Sequence, residues 1–118
     1  MNTGRIYIAG PMRGKPELNW PAFDAAKDFL LSLGLDPISP ADIDRDAGIH
    51  PDGPLDELIV RDCMRRDLKE LMDCDALLML PGWEKSRGAI AEHAVAVAMS
   101  IPVMILSEGD DGCCRSKD

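Results

Sequence analysis

The chain has 118 residues, a length that fits one domain with a small hydrophobic core. Its apolar fraction of 46% is ordinary for a globular protein. A net charge of −8 argues against binding of nucleic acid polymers, because neutralising backbone phosphates requires a basic surface. A single nucleotide remains possible, since a local cation or a helix N-terminus can hold one phosphate.

Four cysteines occur at positions 63, 74, 113 and 114, without a CxxC pair or a histidine cluster. We therefore expect no metal site. No signal peptide and no membrane-spanning run is visible, which gives a cytoplasmic location as the expectation.

The first half of the chain alternates between strand and helix patterns. Residues 5–9 (RIYIA) predict a short first strand, and residues 20–33 have apolar side chains at helical spacing. Residues 35–39 predict a second strand. Residues 41–53 are polar and rich in Asp, Gly and Pro, which predicts a long mobile loop with room for one helical turn.

The second half continues the alternation. Residues 56–74 predict a second helix, and the continuous apolar run at residues 76–80 is typical of a parallel strand buried on both faces. Residues 86–100 predict a third helix and residues 101–106 a fourth strand.

This order predicts an α/β fold, a small Rossmann-like or flavodoxin-like parallel sheet of four to five strands flanked by helices. We expect one domain over residues 1–107 and a disordered polar tail over residues 108–118. Ligands of such sheets bind beyond the carboxyl ends of the strands. The loops at residues 10–15, 39–42 and 81–88 should therefore converge on a cleft.

Glu92 breaks the pattern of the third predicted helix. Residues 89–99 are apolar except for Glu92 and His93, so a charge stands where burial would be costly. One interpretation is a carboxylate that lines a cleft and acts as a nucleophile or acid–base group. The other is a narrow solvent-facing stripe that Glu92 shares with His93 and Arg87.

Asp67 is a similar anomaly on the second predicted helix, because it falls near the middle of an apolar arc. That arc consists of Val60, Cys63, Met64, Leu68 and Leu71. Asp67 either points into the cleft or forms a structural ion pair with Arg61, Arg65 or Arg66.

Two segments are candidates for binding an anion. Ser86 can act as an N-cap only, or it can combine its hydroxyl with a helix N-terminus to hold a phosphate. The loop at residues 10–14 follows the first strand and offers Arg13, or Lys15 beside it, as a cation.

Three motifs taken together carry a family resemblance. They are Tyr7-Ile8-Ala9-Gly10-Pro11, Arg66-Asp67-Leu68 and Ser86-x-Gly88-x-x-x-Glu92-x-x-x-Ala96. In order and spacing they resemble the nucleoside 2-deoxyribosyltransferase superfamily, over residues 5–106. This superfamily includes 2-deoxynucleoside 5-monophosphate N-hydrolases and small phage and bacterial proteins of unassigned function.

The resemblance implies a role for each matching residue. Glu92 would be the nucleophile that attacks the anomeric carbon, Tyr7 would orient it, and Asp67 would assist proton transfer to the leaving base. Gly10 and Gly88 would allow the backbone to approach the ligand closely.

Position 86 distinguishes branches of the superfamily. Ser86 resembles the monophosphate hydrolases, in which serine contacts phosphate, whereas transferases acting on free nucleosides carry aspartate there. Arg13 likewise corresponds to a basic residue of the hydrolases. Pro11 and Met12 would also contact substrate, although the hydrolases usually have a Ser-Ile type pair at these two positions.

The sequence thus predicts cleavage or transfer of the N-glycosidic bond of a (deoxy)nucleoside 5-monophosphate through a covalent glycosyl-Glu92 intermediate, without metal or organic cofactor. Base exchange between free nucleosides is an alternative, and a non-catalytic nucleotide sensor or adaptor is another. We expect a homo-oligomer, at least a dimer, because the helix at residues 86–100 is too apolar to cover only one side of a small sheet.

Overall fold

A computed structural model describes residues 4–50 and 56–106, together with the backbone of residues 114–116. Strands and helices alternate along the described chain, with one pair of helices in succession. In chain order the elements are β1 (Arg5–Ala9), α1 (Trp20–Ser32), β2 (Asp36–Ile38), α2 (Pro40–Asp46), α3 (Glu57–Met72), β3 (Ala76–Met79), α4 (Arg87–Ala98), β4 (Val103–Leu106) and β5 (Cys114–Ser116).

The five strands form one sheet in the order β2-β1-β3-β4-β5. Pairing is parallel among the first four strands, and β5 is antiparallel to β4. The predicted α/β fold with a parallel sheet flanked by helices is confirmed. The strand β5 falls in the tail at residues 108–118 and was not predicted; the other residues of that tail lie outside the described residues, so their expected disorder stays a prediction.

Strand β1 is one of the two central strands of the parallel part of the sheet, and its side chains contribute to both halves of the core. Successive side chains of a strand point to opposite faces, so Ile6 and Ile8 pack with α1 while Tyr7 and Ala9 pack with α3 and α4. All four side chains are buried. This alternation directs Tyr7 towards α4, the helix that carries Glu92.

Helix α2 covers the start of the segment 41–53, for which the sequence predicted a mobile loop with room for one helical turn, so the loop prediction is wrong for residues 41–46. Ser39 caps the helix, because its Oγ accepts a hydrogen bond of 3.2 Å from the backbone N–H of Ala41, and proline is favourable at the first helical position. The helix buries Pro40, Ala41 and Asp44, one face at helical spacing. Residues 51–55 of the predicted loop lie outside the described residues.

Ion pairs on the outer surface attach α2 to α1. Arg45 donates two hydrogen bonds to the carboxylate of Asp24, at 3.0 and 2.7 Å, and its guanidinium lies 4.8 Å from the ring centre of Trp20. Lys27 of α1 bonds Asp42 of α2 at 2.7 Å. The side chains are partly exposed, so each pair contributes about 1 kcal/mol or less. Together they fix the orientation of a helix of only seven residues.

Within residues 4–50 and 56–106, none of the helices combines the length and the apolar character that crossing a bilayer requires.

Candidate active site

A cavity of about 590 Å³ opens at the carboxyl ends of β1 and β3. It is lined by residues 10–14 after β1, by Pro40 and Asp44 of α2, by one side of α3, and by residues 85–89 where α4 begins. The three loops that were expected to converge therefore contribute to one cleft. A volume of this size is typical of a small-molecule site.

Residues predicted to contact substrate are brought together here. Those that line the cavity are Gly10, Pro11, Met12, Arg13, Ser86 and Gly88. Asp67 and Glu92 line it as well, and Tyr7 lies directly behind Glu92. Lys15, the alternative cation, is not among the lining residues.

Tyr7 and Glu92 form a buried hydrogen bond. The Tyr7 hydroxyl donates to Oε2 of Glu92 at 2.6 Å, and both side chains are buried. Such a short bond to a carboxylate is characteristic of a charge-assisted interaction. Burial raises the pKa of Tyr7 well above its usual value, and the nearby charges of Glu92 and Asp67 raise it further. Tyr7 therefore remains a neutral donor.

Glu92 does not lie on a solvent-facing stripe, since only 5% of its surface is exposed. Burial raises the pKa of Glu92 to about 7, although the hydrogen bond from Tyr7 lowers it and the charge of Asp44 adds a smaller increase. Its neighbour His93 points elsewhere and stacks on Trp83, with ring centres 4.6 Å apart. At neutral pH a substantial fraction of Glu92 is ionised, as a nucleophile requires.

Asp67 is also buried, and it forms no ion pair with Arg61, Arg65 or Arg66 within the described parts of the chain. Its Oδ1 atom has no hydrogen-bond partner there. Burial raises the pKa of Asp67 to about 8, with a further increase from the charge of Glu92 and a small opposing effect of Arg66. The carboxyl group is therefore mainly protonated at neutral pH and can act as an acid.

Asp44 is a third buried carboxylate in the cavity, and sequence analysis missed it. Burial raises the pKa of Asp44, while a hydrogen bond from the thiol of Cys63 and the charge of Arg66 lower it. Because residues 41–53 are rich in Asp, Gly and Pro, sequence analysis assigned this residue to a loop. A signal was present in the spacing, because Asp44 lies three positions after Ala41 and four after Pro40, on their face of α2.

Positive groups lie at the mouth of the cavity. Arg13, Lys85 and Arg87 line it and are exposed to solvent. Ser86 caps α4, since its Oγ accepts a hydrogen bond of 3.2 Å from the backbone N–H of Ala89. This leaves the hydroxyl proton available to donate towards the cavity, beside a helix N-terminus that favours an anion. Sequence analysis did not assign Lys85 or Arg87 to the site.

The two glycines of the motifs differ in their packing role. A Cβ atom on Gly10 would lie 2.7 Å from the Cβ of Leu80, so only glycine permits this approach between the ends of β1 and β3. A Cβ atom on Gly88 would lie 3.4 Å from the Sδ of Met64, which is close to an ordinary van der Waals contact with a flexible side chain. The close approach of the cavity walls therefore depends on Gly10.

The arrangement can support acid–base and nucleophilic chemistry. Of the three buried carboxyl groups that line the cavity, Glu92 and Asp67 have pKa values that burial raises to about 7 and about 8. Both groups can therefore exchange a proton near neutral pH. Among the described residues, no three His, Cys, Asp or Glu side chains are placed to hold a metal ion.

Comparisons with known proteins agree with this architecture. The family model described as Domain of unknown function (DUF4406) matches residues 4–105. A 2-deoxyribosyltransferase from the psychrotolerant bacterium Bacillus psychrosaccharolyticus superposes with a TM-score of 0.65 at 20% identity, covering 87% of this chain and 72% of that one.

The solution structure of BlsM superposes with a TM-score of 0.64, also at 20% identity, and covers 88% of this chain. The chain spans 64% of BlsM, less than two thirds of its length. At this level of identity, the two likenesses show a shared fold. A comparison with curated proteins gives no match.

The buried carboxyl groups predict that stability decreases as the pH rises. Asp67 has a raised pKa in the folded protein, so the folded state holds its proton up to about pH 8, whereas the unfolded chain releases it near pH 4. We expect Asp67→Asn to raise the free energy of unfolding by about 1–3 kcal/mol at pH 8.5 and by much less at pH 5. Urea denaturation at both pH values measures this difference.

Asp62→Asn is the matched control, because Asp62 lies on the same helix and is exposed. It should change stability equally at the two pH values. An Asp67→Asn protein with no gain at pH 8.5 relative to pH 5 would contradict the raised pKa.

Proposed function

The chain belongs to the DUF4406 family, and from this premise we propose that it shares the chemistry of the nucleoside 2-deoxyribosyltransferase superfamily and cleaves the N-glycosidic bond of a (deoxy)nucleoside 5′-monophosphate. The observation that carries the proposal is the buried hydrogen bond of 2.6 Å from Tyr7 to Glu92, at the wall of a cavity shared with Asp67. Glycosidic bond cleavage requires two such catalytic groups, an oriented carboxylate and a protonated carboxyl group.

In the first step, the ionised Glu92 attacks the anomeric carbon of the sugar. The bond between that carbon and the base nitrogen breaks, and its electron pair remains on the base. Asp67, protonated because of its raised pKa, donates a proton to the departing base. The products of this step are the free base, an ionised Asp67 and a glycosyl ester on Glu92.

In the second step, water attacks the anomeric carbon of the ester. Asp67, now ionised, accepts the proton of the water molecule, so that it returns to its starting state. The ester bond breaks and Glu92 leaves as a carboxylate, which releases the sugar phosphate. If a second base occupies the cavity instead of water, the same step completes a transfer.

Tyr7 acts as a positioning residue in this scheme. Its hydroxyl fixes one oxygen of Glu92 and lowers the pKa of that carboxyl against the effect of burial. Activity requires Glu92 ionised and Asp67 protonated, so the rate should fall at acid pH, where Glu92 gains a proton, and at alkaline pH, where Asp67 loses one. Neither step involves a redox change, and the carboxylate supplies the nucleophile, so we propose no cofactor.

The mouth of the cavity is suited to a phosphate group. Arg13 and Arg87 provide charge, and Ser86 provides a hydroxyl at the N-terminus of α4. These groups lie at the rim, whereas the carboxylates Asp67 and Glu92 are buried further in. A nucleotide with its phosphate at the rim would place its anomeric carbon towards Glu92.

We further propose that two copies of the chain associate through the outer face of α4. Ile90 and Val97 are 46% and 59% exposed, and Ala94 between them is exposed too. No charged side chain interrupts this face after Arg87. An apolar helix face of this kind is usually covered by a partner, and symmetric dimers are the commonest solution.

Incubation with nucleoside and deoxynucleoside monophosphates tests the proposed activity directly. We expect release of free base from at least one of them, and loss of at least 1000-fold in rate for Glu92→Gln, which keeps the shape but removes the nucleophile. Chromatography of the free base measures the rate. Mass spectrometry of the denatured protein should detect the sugar phosphate on wild-type Glu92.

Other outcomes would separate the alternatives. Product that forms only when an acceptor base is added would indicate base exchange between nucleosides. Tight binding of a nucleotide without base release over hours would indicate a sensor or adaptor. Equal rates for the wild-type protein and Glu92→Gln would contradict the proposed mechanism.

Ser86→Asp tests the phosphate contact while it keeps the helix cap, because aspartate is also a good N-cap. The new negative charge should repel a phosphate group. We expect kcat/KM for a monophosphate to fall at least tenfold, and that for the corresponding free nucleoside to change less. Steady-state kinetics on the two substrates check this, and an equal loss on both would place the phosphate elsewhere.

Val97→Lys tests the dimer, since a charge at an exposed position of α4 should disrupt the interface without disturbing the core. We expect light scattering to report a dimer for the wild-type protein and a monomer for the variant at micromolar concentration. A wild-type monomer under these conditions would rule out the proposed association.

A further inference from the structure

Asp44 is a buried group for which the proposed reaction gives no role. Only 5% of its surface is exposed, and its Oδ1 atom has no hydrogen-bond partner among the described residues. It also forms no ion pair within those residues, unlike Asp42 two positions earlier on the same helix. Burying a carboxylate without full compensation destabilises a protein. Such a group is therefore expected to have a partner that the free protein lacks.

The surroundings of Asp44 hold it in a defined position. Its helix α2 is capped by Ser39 at one end and attached to α1 by Arg45 on the outer side. Immediately after Asp44 the chain turns, and the Asp44 carbonyl accepts the backbone N–H groups of Ala47 and Ile49 at 3.1 and 2.9 Å. A side chain fixed this way can discriminate between ligands, because little freedom is lost on binding.

The charges of the cavity indicate which part of a nucleotide reaches Asp44. A phosphate group would be repelled by Asp44 and attracted to Arg13 and Arg87 at the rim. The base of a nucleotide extends from the anomeric carbon on the side away from the phosphate. Asp44, Asp67 and Glu92 are all buried and line the same cavity, so a base that extends inward from the anomeric carbon would come within reach of Asp44.

The lining next to Asp44 is suited to a flat, largely apolar ring with a polar edge. Val60, Cys63 and Met64 of α3 line the same cavity. In its ionised form the Asp44 carboxylate only accepts hydrogen bonds, and a donor on the base would favour that form. Opposite such an acceptor, an amino group gains a bond, while a keto oxygen meets a second acceptor and loses its contact with water.

We infer that Asp44 recognises the nucleobase of the substrate, with Oδ1 accepting a hydrogen bond from an exocyclic amino group, so that amino bases are preferred over their keto counterparts. This inference rests on the proposed function for the identity of the ligand. Asp44 is thereby a specificity-determining residue for the same cavity. Its burial in the free protein is explained by the contact it makes with the base.

Matched substrate pairs test this assignment. Deoxycytidine and deoxyuridine monophosphate differ by an amino-to-keto change, as do adenosine and inosine monophosphate. For the pair that is turned over, we expect the amino member to have at least a tenfold higher kcat/KM. Asp44→Asn supplies an NH₂ group that can donate to a keto oxygen, and should reduce the ratio to threefold or less, or reverse it.

Asp46→Asn is the matched control, because Asp46 lies on the same helix, is exposed and does not line the cavity. It should leave the amino-to-keto ratio unchanged. Binding of the same four nucleotides to Glu92→Gln, with and without Asp44→Asn, measures the preference independently of catalysis. Isothermal titration calorimetry should give dissociation constants in the same order as the kinetic ratios.

The outcomes distinguish this inference from the proposed function. Base release with an amino-to-keto ratio unaffected by Asp44→Asn would overturn the inference and leave the function standing. If Asp44→Asn changes only the preference between ribose and deoxyribose substrates, Asp44 contacts the sugar and the inference is wrong. Binding with an Asp44-dependent ratio but without base release would refute the function and support the inference. Absence of both release and binding would refute both.

Discussion

The hydrogen bond between Tyr7 and Glu92 is the contact around which the cleft is arranged. Tyr7 is fixed by the central strand, paired with neighbours on both sides, so its hydroxyl defines one point in the core. Glu92 can remain buried because this donor meets its carboxylate. The bond therefore sets the rotation of α4 about its axis. That rotation in turn places Ser86 and the helix N-terminus at the mouth of the cavity.

Three buried carboxyl groups destabilise the free protein, and a bound substrate would reduce this cost. Asp44, Asp67 and Glu92 are all buried, and burial is the largest cause of the raised pKa of each. In an oxocarbenium-like transition state the sugar carries positive charge, which nearby carboxylates stabilise. In the proposed reaction, the same groups that destabilise the free protein would stabilise the charge that develops on the sugar, a common conflict between stability and activity.

The apolar periodicity of the sequence was sufficient to predict the parallel sheet and the three long helices. It also revealed Glu92 and Asp67, because each of these residues departs from that periodicity. Sequence patterns were insufficient for α2, whose seven residues begin with a proline and contain three aspartates. That helix depends on a local cap at Ser39 and on ion pairs with α1, and the ion pairs join residues distant in sequence. Asp44 was missed because it lies on this helix. The strand β5 was missed because only its pairing with β4 defines it as a strand.

The walls of the cleft differ in how well they tolerate substitutions. Tyr7 and Glu92 sit between the central strand and a helix packed on it, and substitutions there would disturb the hydrophobic core. The wall formed by α2 is held to α1 partly by exposed ion pairs such as Arg45 with Asp24, which tolerate replacement at small cost. Evolution could therefore remodel this wall, and with it the choice of ligand, while the chemistry and the fold stay intact.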